Sequence, residues 1–211
     1  MRGLVAAVAL AVLCAAPASS QRLMFGVKLA GQITNVPTFS EGRFLAGPTA
    51  EIKLPRGLSI EMDALYKRGG YSTTCCVNRQ PGTQIVEKID EKTRFWELPL
   101  MLKWQLPLRR IPVFGSAGFS ARNVSGTDHD YGTSTFLGLP SASMSIDSRG
   151  PATDILNPWT YGPVVGAGVD LRAWKLHFQP ELPYTRWNDS PFYYFTKPDS
   201  LAALLGIVIA K

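Results

Sequence analysis

The chain has 211 residues, 45% of them apolar and 18% charged, with a net charge of +6 and three cysteines. That length suits one ordinary domain, and a weakly positive balance with no Lys/Arg block longer than Arg109-Arg110 argues against a nucleic-acid surface. The first element is a leader: Met1-Arg2-Gly3, an uncharged apolar run from Leu4 to Ala16, and Ala16-Pro17-Ala18 as a small-x-small cleavage site, with Ala18-Ser19-Ser20 as the second option. The run falls short of the roughly 17 to 25 apolar residues of a spanning helix. Residues 1–18 therefore read as a secretory signal peptide and 19–211 as the mature domain. Cys14 follows Leu13, where a lipoprotein signal needs a small residue. No later stretch reaches helix-spanning length, so a membrane crossing would have to use strands.

From Leu23 the pattern has period two, as a pleated strand demands. Strand one sets Leu23, Phe25, Val27, Leu29 and Ile33 against Gly26, Lys28, Ala30 and Gln32. Strand two (44–54) sets Phe44, Ala46, Ala50 and Ile52 against Gly47, Thr49, Glu51 and Lys53. Strand three (57–67) sets Leu58, Ile60, Met62, Ala64 and Tyr66 against Ser59, Glu61, Asp63 and Lys67, with Leu65 on the polar side. Strand four (94–105) sets Trp96, Leu98, Leu100, Leu102 and Trp104 against Glu97, Lys103 and Gln105. Strand five (111–122) has Val113, Ala117 and Phe119 opposite Ser116, Gly118, Ser120 and Arg122. Strand six (160–171) has Tyr161, Val165, Ala167 and Val169 opposite Gly162, Gly166, Gly168 and Asp170. Strand seven (174–185) has Trp174, Leu176, Phe178, Leu182 and Tyr184 opposite Lys175, His177, Gln179, Glu181 and Thr185. The last strand, 201–210, is apolar on both sides and leaves its register open. Pro48, Pro99, Pro112, Pro163, Pro180 and Pro183 fall inside these strands and each removes a ladder donor, which predicts bulges or shortened strands.

Connections after strands two, four and six are short, whereas 34–43, 68–93, 123–158 and 186–200 are long and rich in turn-forming residues. An even strand number with short turns at one end and long loops at the other predicts an all-β, eight-stranded antiparallel up-and-down transmembrane β-barrel, with both termini on the periplasmic side. A soluble, lipocalin-like barrel would place the same apolar face inward. Two features separate them. The polar face is loaded with small residues, which suits a lumen only wide enough for side chains. The large aromatics of the apolar face gather at strand ends, Tyr66, Trp96, Tyr161 and Tyr184 at the outer rim and Trp104 and Trp174 at the inner one, as two interfacial girdles.

The predicted lumen carries Lys28, Glu51, Lys53, Glu61, Asp63, Lys67, Glu97, Lys103, Arg122, Asp170, Lys175, His177 and Glu181. Charges so balanced in a narrow barrel pair with one another and plug it, since an unpaired buried charge costs several kcal/mol; a narrow polar conduit is the alternative. Cys75 and Cys76, adjacent in the second long loop of an exported protein, suggest a vicinal disulfide or a bridge to a partner chain. Of the two histidines, His177 faces the lumen near Glu181, and His129 lies in Asp128-His129-Asp130, a weak metal-ligating pattern. No matched nucleophile stands beside either one. Phe192-Tyr193-Tyr194-Phe195 forms an aromatic cluster in the loop after strand seven.

The run Phe95-Trp96-Glu97-Leu98-Pro99-Leu100-Met101-Leu102-Lys103-Trp104, followed by Pro112-Val113-Phe114-Gly115-Ser116-Ala117-Gly118-Phe119, resembles a motif of the bacterial outer-membrane β-barrel domain family that includes PorT-like, porin-like small barrels. Gly162 to Leu171 and Leu201 to Ile209 resemble its later strands. The ending Val208-Ile209-Ala210-Lys211 departs from barrels that close on an aromatic. The resemblance implies fold and a place in the bacterial outer membrane rather than a chemistry. The expected function is a structural or loop-mediated binding role through 123–158 and 186–200. A narrow porin-like channel stands second and a barrel enzyme acting on lipid or peptide third. Outer-membrane lipids and the barrel assembly machinery are the expected partners; no cofactor and no nucleic acid are expected.

Overall fold

The structure is a computed structural model that describes residues 22–34, 43–80, 83–107, 112–136, 143–153, 155–192 and 198–210. For residues 22, 71–80, 83–89, 133–136, 143, 144, 146 and 210 it describes the backbone alone. The predicted signal peptide and residues 193–195 of the aromatic cluster lie outside the described residues, as do the side chains of Cys75 and Cys76.

Eleven strands follow in chain order: β1 (Arg22–Gln32), β2 (Phe44–Lys53), β3 (Leu58–Asp63), β4 (Leu65–Gln80), β5 (Thr83–Gln105), β6 (Val113–Phe136), β7 (Ser143–Pro151), β8 (Trp159–Val169), β9 (Leu171–Ala173), β10 (Leu176–Arg186) and β11 (Asp199–Ala210). All pairings are antiparallel, and β1 closes the sheet by pairing with both β2 and β11, Val27 facing Pro48 on one side and Ile207 on the other. The result is a closed eight-strand, up-and-down barrel, because β3 with β4 and β8 with β9 are each one stave, and β7 is an arm beyond the barrel that pairs only with the far part of β6.

The strand prolines explain the two interruptions, and they correct the expectation of bulges. Across the gap at Ala64 the register is unbroken, Met62 facing Leu100 and Leu65 facing Glu97. Ala64 still donates to the Pro48 carbonyl at 3.0 Å, but Pro48 has no N–H to return. At Asp170 the register again continues, with Gly168 facing Glu181 and Leu171 facing Phe178, while Pro180 lacks its donor. Pro183 opens the same kind of gap between β10 and β11, Glu181 facing Leu204 and Tyr184 facing Leu201. Prolines thus delete single bonds and leave the pleat intact, so every side chain keeps its face.

The long connections were expected as loops from 68 to 93 and from 123 to 158, and this is corrected. β4 and β5 run on as a paired hairpin to Gln80 and Thr83, β6 continues to Phe136, and β7 returns beside it to Pro151. Residues such as Thr, Tyr and Val in these segments suit a ladder, and the loss of apolar alternation beyond Trp96 marks where the sheet leaves an apolar surrounding rather than where the strand ends. At the other end the connections are tight. Arg56, Gly57 and Trp174 take positive φ values of 65°, 76° and 58° in the turns after β2 and β9.

The faces are those of a barrel turned outside in. Outward residues include Leu23, Phe25, Val27, Leu29, Leu100, Leu102, Phe119, Val165, Leu182 and Ile209, all exposed. Inward positions hold Lys28, Glu51, Glu61, Asp63, Lys103, Gln179 and Glu181, all buried. The last strand, whose register the sequence left open, turns Gly206 and Val208 inward and Leu205 and Ile209 outward. In water the outer surface would expose far more contiguous apolar area than soluble domains tolerate, and a closed antiparallel ladder satisfies the backbone without water. The fold is a transmembrane β-barrel.

Candidate functional site: the lumen and the two mouths

Inward side chains from six of the eight staves meet in one polar network. Lys28 Nζ donates to Glu61 and, at 2.9 Å, to Asp63 Oδ2. Lys103 Nζ donates to Glu61 Oε2 at 2.6 Å and to Gln179 Oε1 at 3.2 Å. Glu181 Oε2 stands 3.6 Å from Lys28 Nζ and 3.7 Å from Lys103 Nζ, while its Oε1 accepts from Ser116 Oγ at 2.6 Å. Gln179 Nε2 donates across the lumen to Glu51 Oε2 at 3.0 Å, and Lys53 Nζ holds Glu51 Oε1 at 2.6 Å. Cations therefore sit between acids from β2, β3 and β10, as a desolvated charge requires. Small residues make the room. A Cβ on Gly168 would stand 2.5 Å from Phe114 Cζ, and one on Gly166 would stand 2.7 Å from Ser116 Oγ.

Above this layer Ala30, Leu45 and Leu65 form a small apolar cluster with Leu204 against it. The cavity beside it, lined by Asp63, Met101, Ser120 and Val164, is about 40 Å³, space for a few waters at most.

The mouth at the long-hairpin end is closed by protein. Arg122 Nε donates to Thr160 Oγ1 at 3.1 Å, and its guanidinium lies 4.1 Å from the centroid of the buried Trp187 ring. Lys67 Nζ donates to Gln32 Oε1 at 2.7 Å and lies 4.5 Å over the Phe95 ring, whose other neighbour is Phe192 at 5.9 Å. Glu97 is half-buried and pairs with Arg122 in the ladder. Residues 187–192 are tied down by the bonds Trp187 N to Pro198 O at 2.7 Å, Tyr161 N to Asn188 Oδ1 at 2.8 Å and Leu156 N to Pro191 O at 2.9 Å.

At the short-turn mouth the described residues leave a cavity of about 540 Å³ lined by Met24, Lys53, Gln105, Asp170, Arg172 and His177. His177 Nδ1 lies 2.8 Å from Asp170 Oδ1, and Lys53 Nζ is 3.5 Å from Asp170 Oδ2. Glu181, the neighbour expected for His177, instead serves the lysine layer. Lys175 is corrected too: it is exposed in the turn and lies 5.6 Å over the Trp174 ring rather than in the lumen.

Asp128, His129 and Asp130 do not converge, since successive strand residues face opposite sides. His129 Nε2 pairs with Asp147 Oδ1 at 2.8 Å and Asp128 Oδ2 accepts from Thr153 N at 2.9 Å. Among the described residues no His, Cys, Asp or Glu group is arranged to hold a metal ion.

The aromatics predicted for the rims all lie on the outward face. Tyr66 and Trp96 pair at 4.8 Å, Tyr161 stacks on Trp159 at 6.2 Å and on Phe119 at 6.4 Å, and Tyr184 Oη donates to Asp199 Oδ1 at 2.6 Å. Trp104 and Trp174 are exposed at the opposite end. Sequence reasoning missed Trp159, Phe114 and Trp187. The signal for Trp187 was present: it continues the inward series Glu181, Pro183, Thr185 by one more step of two.

No protein-family model matches the chain, so membership of the PorT-like family is not shown, and no curated protein matches it in sequence. Among solved structures it is similar to the N-terminal β-barrel domain of Pseudomonas aeruginosa OprF, at 12% identity and a TM-score of 0.42, covering 89% of this chain and 97% of that one. It is also similar to Ail, the attachment invasion locus protein of Yersinia pestis, at 8% identity and 0.42, covering 90% and 96%. The Neisserial surface protein A gives 11% identity and 0.38, covering 90% and 96%. At such scores nothing about binding or activity passes from these proteins to this chain, and the fold stands on the closed ladder itself.

Proposed function

We propose that this chain is exported by residues 1–18, inserted by the barrel assembly machinery into a bacterial outer membrane, and acts there as a plugged barrel whose hairpins and loops make its functional contacts. The observation that carries the reading is the lumen. Buried lysines and carboxylates bridge it from wall to wall and leave a cavity of about 40 Å³. A lumen cross-linked in this way obstructs a solute, which favours a scaffold or binding role over a channel. The ladder supplies the contacting parts: β4 with β5 and β6 with β7 project beyond the aromatic rim at the end opposite the tight turns. Loops and hairpins on a rigid barrel are where recognition is carried, so residues 123–158 and 186–200 are the proposed ligand-facing segments. Tyr66, Trp96, Tyr161 and Tyr184 at one level and Trp104 and Trp174 at the other are the proposed interfacial girdles.

The test joins location to conductance. The mature chain is expected in the outer-membrane fraction, with a gel mobility that shifts on boiling, and in planar bilayers it is expected to give no steady current. A chain that is soluble and shows no heat shift overturns the membrane reading; a steady ionic current overturns the plug.

A further inference from the structure

The outward face just beyond the aromatic pair Tyr66 and Trp96 carries a group of cations with no ion pair to a carboxylate among the described residues. In the β4–β5 ladder Tyr66 faces Trp96, and the next outward pair is Arg68 facing Arg94. One step further Lys92 faces Gly70 on one side and Thr127 on the other, and Arg94 faces Ser125. Arg68, Lys92 and Arg94 are all exposed. Like charges set directly opposite in a sheet destabilise it, so two arginines in register favour an anion between them. Arg94 and Lys92 take part in no hydrogen bond or ion pair with the described residues. Arg68 Nε donates to Tyr66 Oη at 3.1 Å, with the guanidinium 5.9 Å from the Tyr66 ring, which leaves its two terminal nitrogens unengaged by the described residues. The first carboxylate on this face is Asp90, two residues past Lys92, and it already accepts from Tyr131 Oη at 2.8 Å.

The contrast with the other side of the barrel is informative. There the girdle residue Tyr184 is followed by Arg186, which faces Asp199 in the ladder, and Asp199 accepts the Tyr184 hydroxyl. Charge is balanced within the protein at that point. Among the described residues of β4–β5 it is not, and Ser125, Thr127 and Gly70 are small, so the cations stand over a low surface that a headgroup can approach.

Height sets the occupant. Two residues along a strand are about 7 Å, so Arg68 and Arg94 lie one step above aromatics suited to the interface, at headgroup level, and Lys92 one step further. Arginine forks match phosphate oxygens in bidentate fashion. From this charge complementarity, and resting on the outer-membrane reading above, we propose that Arg68, Lys92 and Arg94 form a binding surface for the phosphate groups of an outer-leaflet glycolipid, which neutralise the facing arginines and anchor this side of the barrel.

The experiment compares the refolded mature barrel with R68Q/K92Q/R94Q in a neutral detergent, measuring retention of lipid A and of chemically dephosphorylated lipid A by native mass spectrometry. The expected result is that the wild-type barrel retains lipid A at least about tenfold better than the triple variant, and that dephosphorylated lipid A is held no better by the wild type than by the variant. Equal retention by the two proteins overturns the proposal. So does equal retention of the two lipids, displacement of lipid A by millimolar inorganic phosphate, or equal competition by a sulfated polysaccharide, which would point to a glycan-binding face. Heat-modifiable mobility reports whether the triple variant folds. Should it not, R94Q against R94K decides: R94K is expected to keep most of the retention and R94Q to lose several-fold, and equal values overturn the proposal. A wild-type barrel that fractionates to the outer membrane while R68Q/K92Q/R94Q binds lipid A normally sinks the surface and spares the location; lipid A bound by a chain that never reaches that membrane does the reverse.

Discussion

Glu61 Oε2 and Lys103 Nζ meet at 2.6 Å with side-chain exposures of 0% and 3%, and the other carboxylate oxygen of Glu61 holds Lys28. One buried acid thus serves two buried cations drawn from β1 and β5. Asp63 and Glu181 share Lys28, and Glu181 also stands near Lys103, but neither replaces the direct contact to Lys103. Removing one partner of a buried pair costs roughly 3 to 5 kcal/mol because it strands the other. Glu61→Gln is expected to lose about 3 kcal/mol, and Glu61→Gln with Lys103→Met about half of that, since the second change removes a stranded charge. Urea unfolding in micelles followed by tryptophan fluorescence measures both. A double variant less stable than Glu61→Gln alone rules out the coupling.

Gly168 tests how full the lumen is. The Cβ that alanine would add stands 2.5 Å from the ring of Phe114 and 2.6 Å from the Pro180 carbonyl, and that ring already supports Lys103 Nζ at 4.6 Å from its centroid. The backbone oxygen cannot retreat without opening the β8–β10 ladder. Gly168→Ala is therefore expected to destabilise by about 1 to 3 kcal/mol, the range for overpacking, and Phe114→Leu in the same chain to recover part of it. Stability equal to wild type in Gly168→Ala means the lumen has slack that the packing does not suggest.

Trp187 closes the long-hairpin mouth from inside, its ring lying under the Arg122 guanidinium at 4.1 Å while its backbone N–H is held by the Pro198 carbonyl. Trp187→Ala removes a large buried ring and is expected to cost about 3 kcal/mol or more. Trp187→Phe keeps an aromatic face for the cation and is expected to cost about 1 kcal/mol. The pair is compared by thermal loss of the folded gel band. Equal costs overturn this account, since neither the volume nor the aromatic face that phenylalanine keeps would then contribute.

What the sequence made legible was parity. Alternation alone placed Lys28, Glu61, Lys103 and Glu181 on one face and Leu100, Phe119 and Leu182 on the other, because a period of two survives even where a proline deletes a bond. Two things were harder to read. Partners across the lumen, such as Gln179 with Glu51, depend on stagger between staves, which no single strand encodes. The extensions of β4, β5 and β6 beyond the level of Tyr66 and Trp96 have polar residues on both faces, so the apolar signal that identifies a strand is missing although the ladder continues. Lys175 failed for a different reason: the positive φ of Trp174 ends the alternation one residue before it.

The five tryptophans divide by face, and this gives a test of depth. Trp96, Trp104, Trp159 and Trp174 are outward and exposed, whereas Trp187 is buried in the mouth. Along β5 the outward residues between Trp96 and Trp104 are Leu98, Leu100 and Leu102, and the eight-residue separation spans about 26 Å of strand. At a tilt near 40° that is about 20 Å along the barrel axis, close to the roughly 25 Å apolar band of such barrels. Single-tryptophan variants, the other four changed to phenylalanine, are to be reconstituted with lipids brominated near the headgroup or near the chain end. Trp96, Trp104 and Trp174 are expected to be quenched most by the shallow bromines and little by the deep ones, and Trp187 by neither. Strong quenching of Trp96 or Trp104 by the deep bromines would place the belt off the girdles. Quenching of Trp187 would mean that the mouth opens to lipid, which its contact with Arg122 opposes.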